Sequence, residues 1–225
     1  MSDTGPLLIA ICTLGKVRVE WALHIAHAVM PVGRQRNMMS VQGMTTNDAR
    51  NYAFEVALEM GVPRLMFWDD DILPRNQNAL MLLTQAMDIY DKVDVLSAVY
   101  PGRVKDVCEP IVVKEKGGGM WYGWRDGNIH PVYMAGTGFT MFRMEAFKDV
   151  SPPSYVEPTK GVELRKWFTP DNEMEISDDV HFAKLCEEYG LKWYVHGAVV
   201  CDQADLDGEL YRISDEAEMP QLVEA

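Results

Sequence analysis

The stretch Phe67-Trp68-Asp69-Asp70-Asp71-Ile72-Leu73-Pro74 decides the fold. Its lead-in, Arg64 to Trp68, is an apolar run of strand length. Three carboxylates follow at once. Adjacent carboxylates repel, so they are favourable together only when solvated or neutralised by a cation. Carboxylate oxygens are hard ligands suited to magnesium or manganese. Asp69 and Asp71 fit an Asp-x-Asp pattern, which a local bend aims into one cleft. The plain alternative is a solvated turn capping the helix near Asn78.

Strand and helix alternate on both sides of this stretch. Upstream, Pro6 to Thr13 is a short apolar run ending in polar and glycine residues, and reads as a buried strand. Ala22, Ile25, Ala26 and Val29 recur at helical spacing, and Pro31-Val32-Gly33 closes that helix. Met38 to Val41 is a second short strand. Ala49, Tyr52, Ala53, Val56, Ala57 and Met60 form a helical stripe, with Thr46 or Asn47 as cap and Gly61 as terminator. Downstream, Leu80, Leu83, Ala86 and Met87 mark a helix, and Val93 to Val99 a strand. The alternation predicts an α/β fold, a mostly parallel sheet covered by helices on both faces. Ligands of such sheets bind beyond the carboxyl ends of strands, where the aspartates lie.

The second half reads as a smaller mixed-sheet region. Ile111 to Lys114, Met120 to Trp124 and Phe139 to Arg143 have strand character, as do Trp193 to Val195 and Ala198 to Cys201. Val180, Phe182, Ala183, Leu185, Cys186 and Tyr189 mark a helix that Gly190 ends. From Ala204 the chain turns acidic and weakly periodic, as in a surface helix or a partly disordered tail. The organisation expected is one domain over residues 1–203. Its first half covers about 6–100 and its second about 101–203, with residues 204–225 as tail.

Composition narrows the partners. Nearly half of the 225 residues are apolar, enough for a sizeable core. No apolar run is long enough to span a bilayer, and Met1-Ser2-Asp3-Thr4-Gly5 lacks signal-peptide character. A soluble, cytoplasmic protein is the expectation. The net charge of −13 disfavours nucleic acid and anionic lipid as partners. Cys12, Cys108, Cys186 and Cys201 form no Cys-x-x-Cys pair. Buried thiols fit them better than a zinc knuckle.

Other constellations carry candidate chemistry. Ser177-Asp178-Asp179-Val180-His181-Phe182 opens a helix. Asp178 there is either an ordinary N-cap, or one of the two aspartates accepts a proton from an attacking hydroxyl. Gly136-Thr137-Gly138 is either a tight turn or a close backbone approach to a ligand. No helix follows it, so it is not a dinucleotide fingerprint. Arg50-Asn51 opens the most regular helix, where a guanidinium either sits on the surface or binds a phosphate or base edge. The five histidines show no metalloprotease pattern, and Lys116-Gly117-Gly118-Gly119 lacks P-loop spacing.

Taken in order, these segments resemble the GT-A fold glycosyltransferases, especially short members of glycosyltransferase family two. Ile11-Cys12-Thr13 resembles the first strand end, Ala49-Arg50-Asn51 the following helix start, and Phe67 to Asp71 the Asp-x-Asp strand. Gly136 to Met141 resembles the later Gly-rich turn and strand. Lys166-Trp167-Phe168 and Asp178 to Phe182 resemble the aromatic segment and the acidic helix start. The resemblance implies a metal-dependent transferase that uses a nucleotide-sugar donor, most commonly a UDP-sugar, and an unspecified acceptor, with inversion. Asp69, with Asp70, Thr13, Arg50 and Asn51, would face the donor nucleotide. Asp71 and Asp69 would hold Mn2+ or Mg2+. Asp179 would be the general base, with Asp178 the alternative. Gly136, Thr137, Gly138 and Trp167 would border the acceptor or the donor sugar. Where the family carries a metal-binding His after the last core strand, this chain has Asp202-Gln203: either Asp202 replaces the His as a hard ligand and Gln203 supplies an amide oxygen, or Asp71 and the donor phosphates alone hold the metal. Two alternatives remain: a sugar nucleotidyltransferase, although Leu14 to Arg18 is short and glycine-poor for its loop, and a degenerate nucleotide-binding module.

Overall fold

Residues 5–103, 108–169, 177–205 and 207–213 are described by a computed structural model. The first half runs β1 (Leu7–Cys12), α1 (Val19–His27), β2 (Arg36–Val41), α2 (Thr46–Glu59), β3 (Arg64–Trp68), β4 (Ile72–Pro74), α3 (Ala79–Ile89) and β5 (Val95–Val99). The second half runs β6 (Val112–Val113), β7 (Ile129–Pro131), β8 (Met134–Ala135), β9 (Phe139–Arg143), β10 (Ser154–Val156), β11 (Glu163–Arg165), α4 (Asp178–Tyr189), β12 (Trp193–Ala204) and β13 (Leu210–Tyr211).

The central sheet has the order β13-β12-β5-β9-β3-β1-β2. β2, β1, β3, β5 and the start of β12 point the same way, and β9 lies antiparallel between β3 and β5. The architecture is α/β, a mostly parallel central sheet flanked by helices, as expected from the sequence. The carboxyl ends of β1, β3 and β5 and the amino end of β9 therefore meet at one edge. Thr13, Asp69, Tyr100 and Gly138 converge there.

Both sheet faces are covered, which explains the uninterrupted apolar strands. Successive β3 side chains alternate between the faces. Leu65 and Phe67 join α2, through Ala53, Phe54 and Ala57, in one core cluster. Met66 and Trp68 join α1 and α3, through Trp21, Ile25, Leu80 and Leu83, in the other. Phe54 meets Phe67, Phe142, Phe147, Trp167 and Phe168 at ring-centroid distances of 4.7 to 6.5 Å.

Several local expectations shift. The α2 cap is Thr45, one residue before the expected pair, and its hydroxyl accepts from the Asp48 N–H. Met120 to Trp124 is not a strand. Met120 makes one bridge to Val113, and Gly123–Asp126 is a short 3-10 turn that buries Trp124. The two expected final strands are one long β12, with a register shift between Val195 and Val200. Leu210 and Tyr211 pair with Ala204 and Gln203 as a strand rather than a helix. The tail beyond Ile213 lies outside the described residues. No helix among the described residues is long and apolar enough to cross a membrane.

Candidate active site

A cleft of about 690 Å³ opens at the strand-end edge. Its floor is set by the turn after β3. The Asp69 N–H donates to the Gly138 carbonyl at 2.8 Å. The Asp69 carbonyl accepts from the Trp21 indole N–H at 2.8 Å. The Thr13 hydroxyl donates to Asp70, which ties the ends of β1 and β3 together. Backbone polar groups are thus satisfied locally, and the side chains of Asp69 and Asp71 are left to face the cleft.

Arg50 is the centre of the charge network. It is only 5% exposed, although it stands in the first turns of α2. Its Nη2 donates to Asp69 Oδ2 and its Nη1 to Asp178 Oδ2. Burial works against its charge, but Asp69, Asp178 and Asp179 outweigh that and hold the guanidinium well above its usual range. Burial pushes the Asp69 carboxyl up, with Arg50 pulling it back. Ser177, not Asp178, caps α4, its hydroxyl accepting from the Val180 N–H. Asp178 is therefore free to pair with Arg50.

Asp179 stands beside this pair. One of its oxygens, Oδ1, accepts from the Thr137 N–H at 3.0 Å and from the Thr137 hydroxyl at 2.7 Å. Burial, then the neighbouring Asp178, push its carboxyl up to about 7, against the opposing pull of Arg50 and Thr137. A carboxylate poised there exchanges protons near neutral pH.

Asp71 accepts from the Gln203 side-chain amide at 3.0 Å and pairs with Arg103, both at Oδ2. Asp69 Oδ1, Asp71 Oδ1 and Gln203 Oε1 are buried without a hydrogen-bond partner among the described residues. Hard oxygens left unsatisfied in this way suit a hard divalent cation. Among the described residues, no group of three or more His, Cys, Asp or Glu side chains is arranged to hold one. The unpartnered oxygens thus belong to two carboxylates and one amide.

Of the residues singled out from the sequence, Thr13, Arg50, Asp69, Asp70, Asp71, Asp178 and Asp179 come together on this cleft. The other residues singled out stand off the cleft lining. Asn51 is fully buried beside it, donating to Tyr155 and Thr169 and accepting from the Phe168 N–H. Trp167 is 0% exposed, and its indole N–H donates to Glu55 at 2.8 Å, so it packs the core. Asp202 pairs with Arg75 and Arg212 away from the cleft. Adjacent residues on a strand face opposite ways, and Gln203 holds the cleft side of β12. Gly136, Thr137 and Gly138 do not line the cleft but lie behind it. A Cβ at Gly136 would fall 2.2 Å from the Tyr100 hydroxyl, and one at Gly138 would fall 2.9 Å from Asp69 Oδ2. The close backbone approach seen here is to Tyr100 and Asp69.

Sequence reasoning missed Tyr100, Lys16, Arg18 and Arg103, all of which line the cleft. The Tyr100 hydroxyl accepts from the Gly138 N–H at 2.7 Å, and burial pushes its pKa well above the ordinary phenol range. Its signal was its place one residue after the β5 run. Lys16 and Arg18 directly follow the first strand. Arg103 had no local signal.

No protein-family model and no curated protein matches the chain. Among solved structures, the crystal structure of A197 from STIV is similar over 97% of this chain and 99% of that one, at 17% identity and a TM-score of 0.59. The two share a fold. Apo UDP-glucose pyrophosphorylase is more distant, at 12% identity and a TM-score of 0.41, over 90% and 77% of the respective chains. HddC from Yersinia pseudotuberculosis complexed with GMP-PN has 11% identity and a TM-score of 0.36, over 82% and 99%.

Proposed function

We propose that the protein is a divalent-cation-dependent glycosyltransferase that moves a sugar from a nucleoside-diphosphate sugar, a UDP-sugar first, to an acceptor hydroxyl with inversion. The carrying observation is that a carboxyl held near pKa 7, Asp179, shares one cleft with the strand-end pair Asp69 and Asp71. Proton acceptance and cation holding are thereby divided between separate acidic groups, with Arg50 between them.

Asp71 and Asp69 would hold Mn2+ or Mg2+ through their unpartnered oxygens, with Gln203 Oε1 as a neutral ligand. When bound, the cation supplies Lewis-acid neutralisation of the charge that grows on the departing diphosphate. Thr137 fixes Asp179 through Oδ1 and leaves Oδ2 to take the acceptor's proton. The acceptor oxygen then forms a bond to the anomeric carbon as the bond to the diphosphate oxygen breaks, and the electron pair leaves with the nucleoside diphosphate. Arg50 keeps negative charge fixed on both sides of the reaction path, an electrostatic frame already set before substrate arrives.

The test begins with calorimetry of UDP and GDP, with and without Mn2+, on the wild-type protein and on Asp71→Ala. Cation-dependent binding that the variant loses supports the reading. Absence of nucleotide binding by folded wild-type protein overturns it. In a turnover screen, pyrophosphate release would indicate nucleotidyl transfer, and NMR of a product with retained anomeric configuration would exclude the single displacement.

A further inference from the structure

The described lining of the cleft is over-supplied with negative charge. Among the described residues, Asp69, Asp70, Asp71, Asp178, Asp179 and Asp205 face Lys16, Arg18, Arg50 and Arg103, six carboxylates against four cations. A diphosphate entering this cleft meets net repulsion unless positive charge is rearranged. Arg50 is held by two carboxylates in the floor. Arg18 donates to the Asp205 carbonyl at 3.1 Å and lies 3.6 Å from Glu20. Lys16 makes no ion pair among the described residues.

Arg103 is different. Its side chain is 45% exposed, yet its guanidinium pairs with Asp71, whose side chain is only 16% exposed. The pair occupies one oxygen of Asp71, and the other oxygen is buried and unpartnered. A divalent cation therefore has a place to arrive while Arg103 is still paired. Once there, its charge competes with the guanidinium for the same carboxylate and weakens the older pair.

We infer that Arg103 is a binding residue for the donor's diphosphate, held in reserve on Asp71 and released by the cation. This rests on the proposed role of Asp71 as a cation ligand. In the cation-free protein, Arg103 neutralises Asp71 and is withheld from phosphate. With the cation on Asp71, Arg103 joins Lys16 on the cleft wall and makes charge-assisted hydrogen bonds to phosphate oxygens, for which its planar fork is suited. Cation and diphosphate then favour one another's binding, and the coupling is reciprocal.

The experiment uses Arg103→Gln, a change at a half-exposed side chain outside the core. Electron paramagnetic resonance of free Mn2+ measures cation affinity without nucleotide, and calorimetry measures UDP and GDP affinity at saturating Mn2+. The variant is expected to bind Mn2+ about 2- to 5-fold more tightly, since a partly exposed ion pair no longer competes. It is expected to bind the nucleotide about 10- to 100-fold more weakly, since charge-assisted phosphate contacts are lost. Mn2+ affinity that is unchanged or reduced overturns the inference, as does unchanged nucleotide affinity. If the wild type shows Mn2+-dependent nucleotide binding and Arg103→Gln matches it in both measurements, the inference falls and the proposed function stands. If neither protein binds Mn2+ or either nucleotide, both fall.

Discussion

Asp179→Asn separates the chemistry of the cleft from the stability of the fold, and the two move in opposite directions. Asn keeps a carbonyl-type Oδ1 to accept both Thr137 hydrogen bonds, so the anchor survives. What disappears is ionisation. The wild-type carboxyl has a pKa of about 7 in the folded state against the ordinary aspartate value of 3.8. Its folded pKa is raised, so its contribution to stability is fully present below about pH 4. It is lost as pH rises, and the loss is complete once pH passes about 7. At about 1.4 kcal/mol per unit, the shift corresponds to about 4 kcal/mol, and partial solvent access reduces this toward about 2. The Asn variant escapes the loss. It should be more stable than wild type by about 2–4 kcal/mol at pH 8, by about 1 kcal/mol or less at pH 4.5, and inactive in transfer throughout. For a chain of this length the gain at pH 8 is about 5–15 °C in melting temperature. Thermal melts and urea titrations across pH 4.5 to 8 read it directly. A variant equally or less stable than wild type at pH 8, or one with a pH-independent gain, would refute the electrostatic account of Asp179.

Three further expectations follow from the packing. Trp167→Ala should lower stability by about 3–5 kcal/mol in denaturant titrations while the folded fraction keeps wild-type UDP affinity. A selective loss of affinity with unchanged stability would return Trp167 to the ligand. Gly136→Ala should destabilise by about 1–3 kcal/mol, because its Cβ meets the Tyr100 hydroxyl at 2.2 Å. A wild-type melting curve would show that Tyr100 moves aside freely. Asp202→Asn should change stability by about 1 kcal/mol or less, since its arginine partners are partly exposed. It should leave Mn2+ affinity within twofold, and a tenfold fall in the resonance titration would place Asp202 among the cation ligands after all.

What the sequence made legible was local. The apolar run into Asp69 fixed a strand end, and the stripe from Ala49 to Met60 fixed a helix. Their alternation implied parallel strands, hence an edge where aspartates gather. What stayed hidden depended on register and crossing. Nothing in Phe139 to Arg143 says that β9 runs antiparallel between β3 and β5, yet that insertion sets Gly138 against Asp69. Asp202 and Gln203 differ by one strand position, so choosing between them required knowing which face of β12 meets the cleft. Trp167 carried an aromatic signal that serves equally for a core residue and for a sugar platform, and only the fold shows it packed against Phe54 and Phe147. Arg50 gave no sign that both its nitrogens would meet carboxylates from segments 19 and 128 residues away.

The Gly-Thr-Gly turn behind the cleft has a metrological consequence. Thr137 grips Asp179, and the next residue, Gly138, grips the backbone of Asp69. Neighbouring Cα atoms across a trans peptide are about 3.8 Å apart whatever the side chains. The anchor of the Asp179 side chain and the anchor of the Asp69 backbone are therefore spaced by a single peptide unit, the stiffest ruler a polypeptide offers.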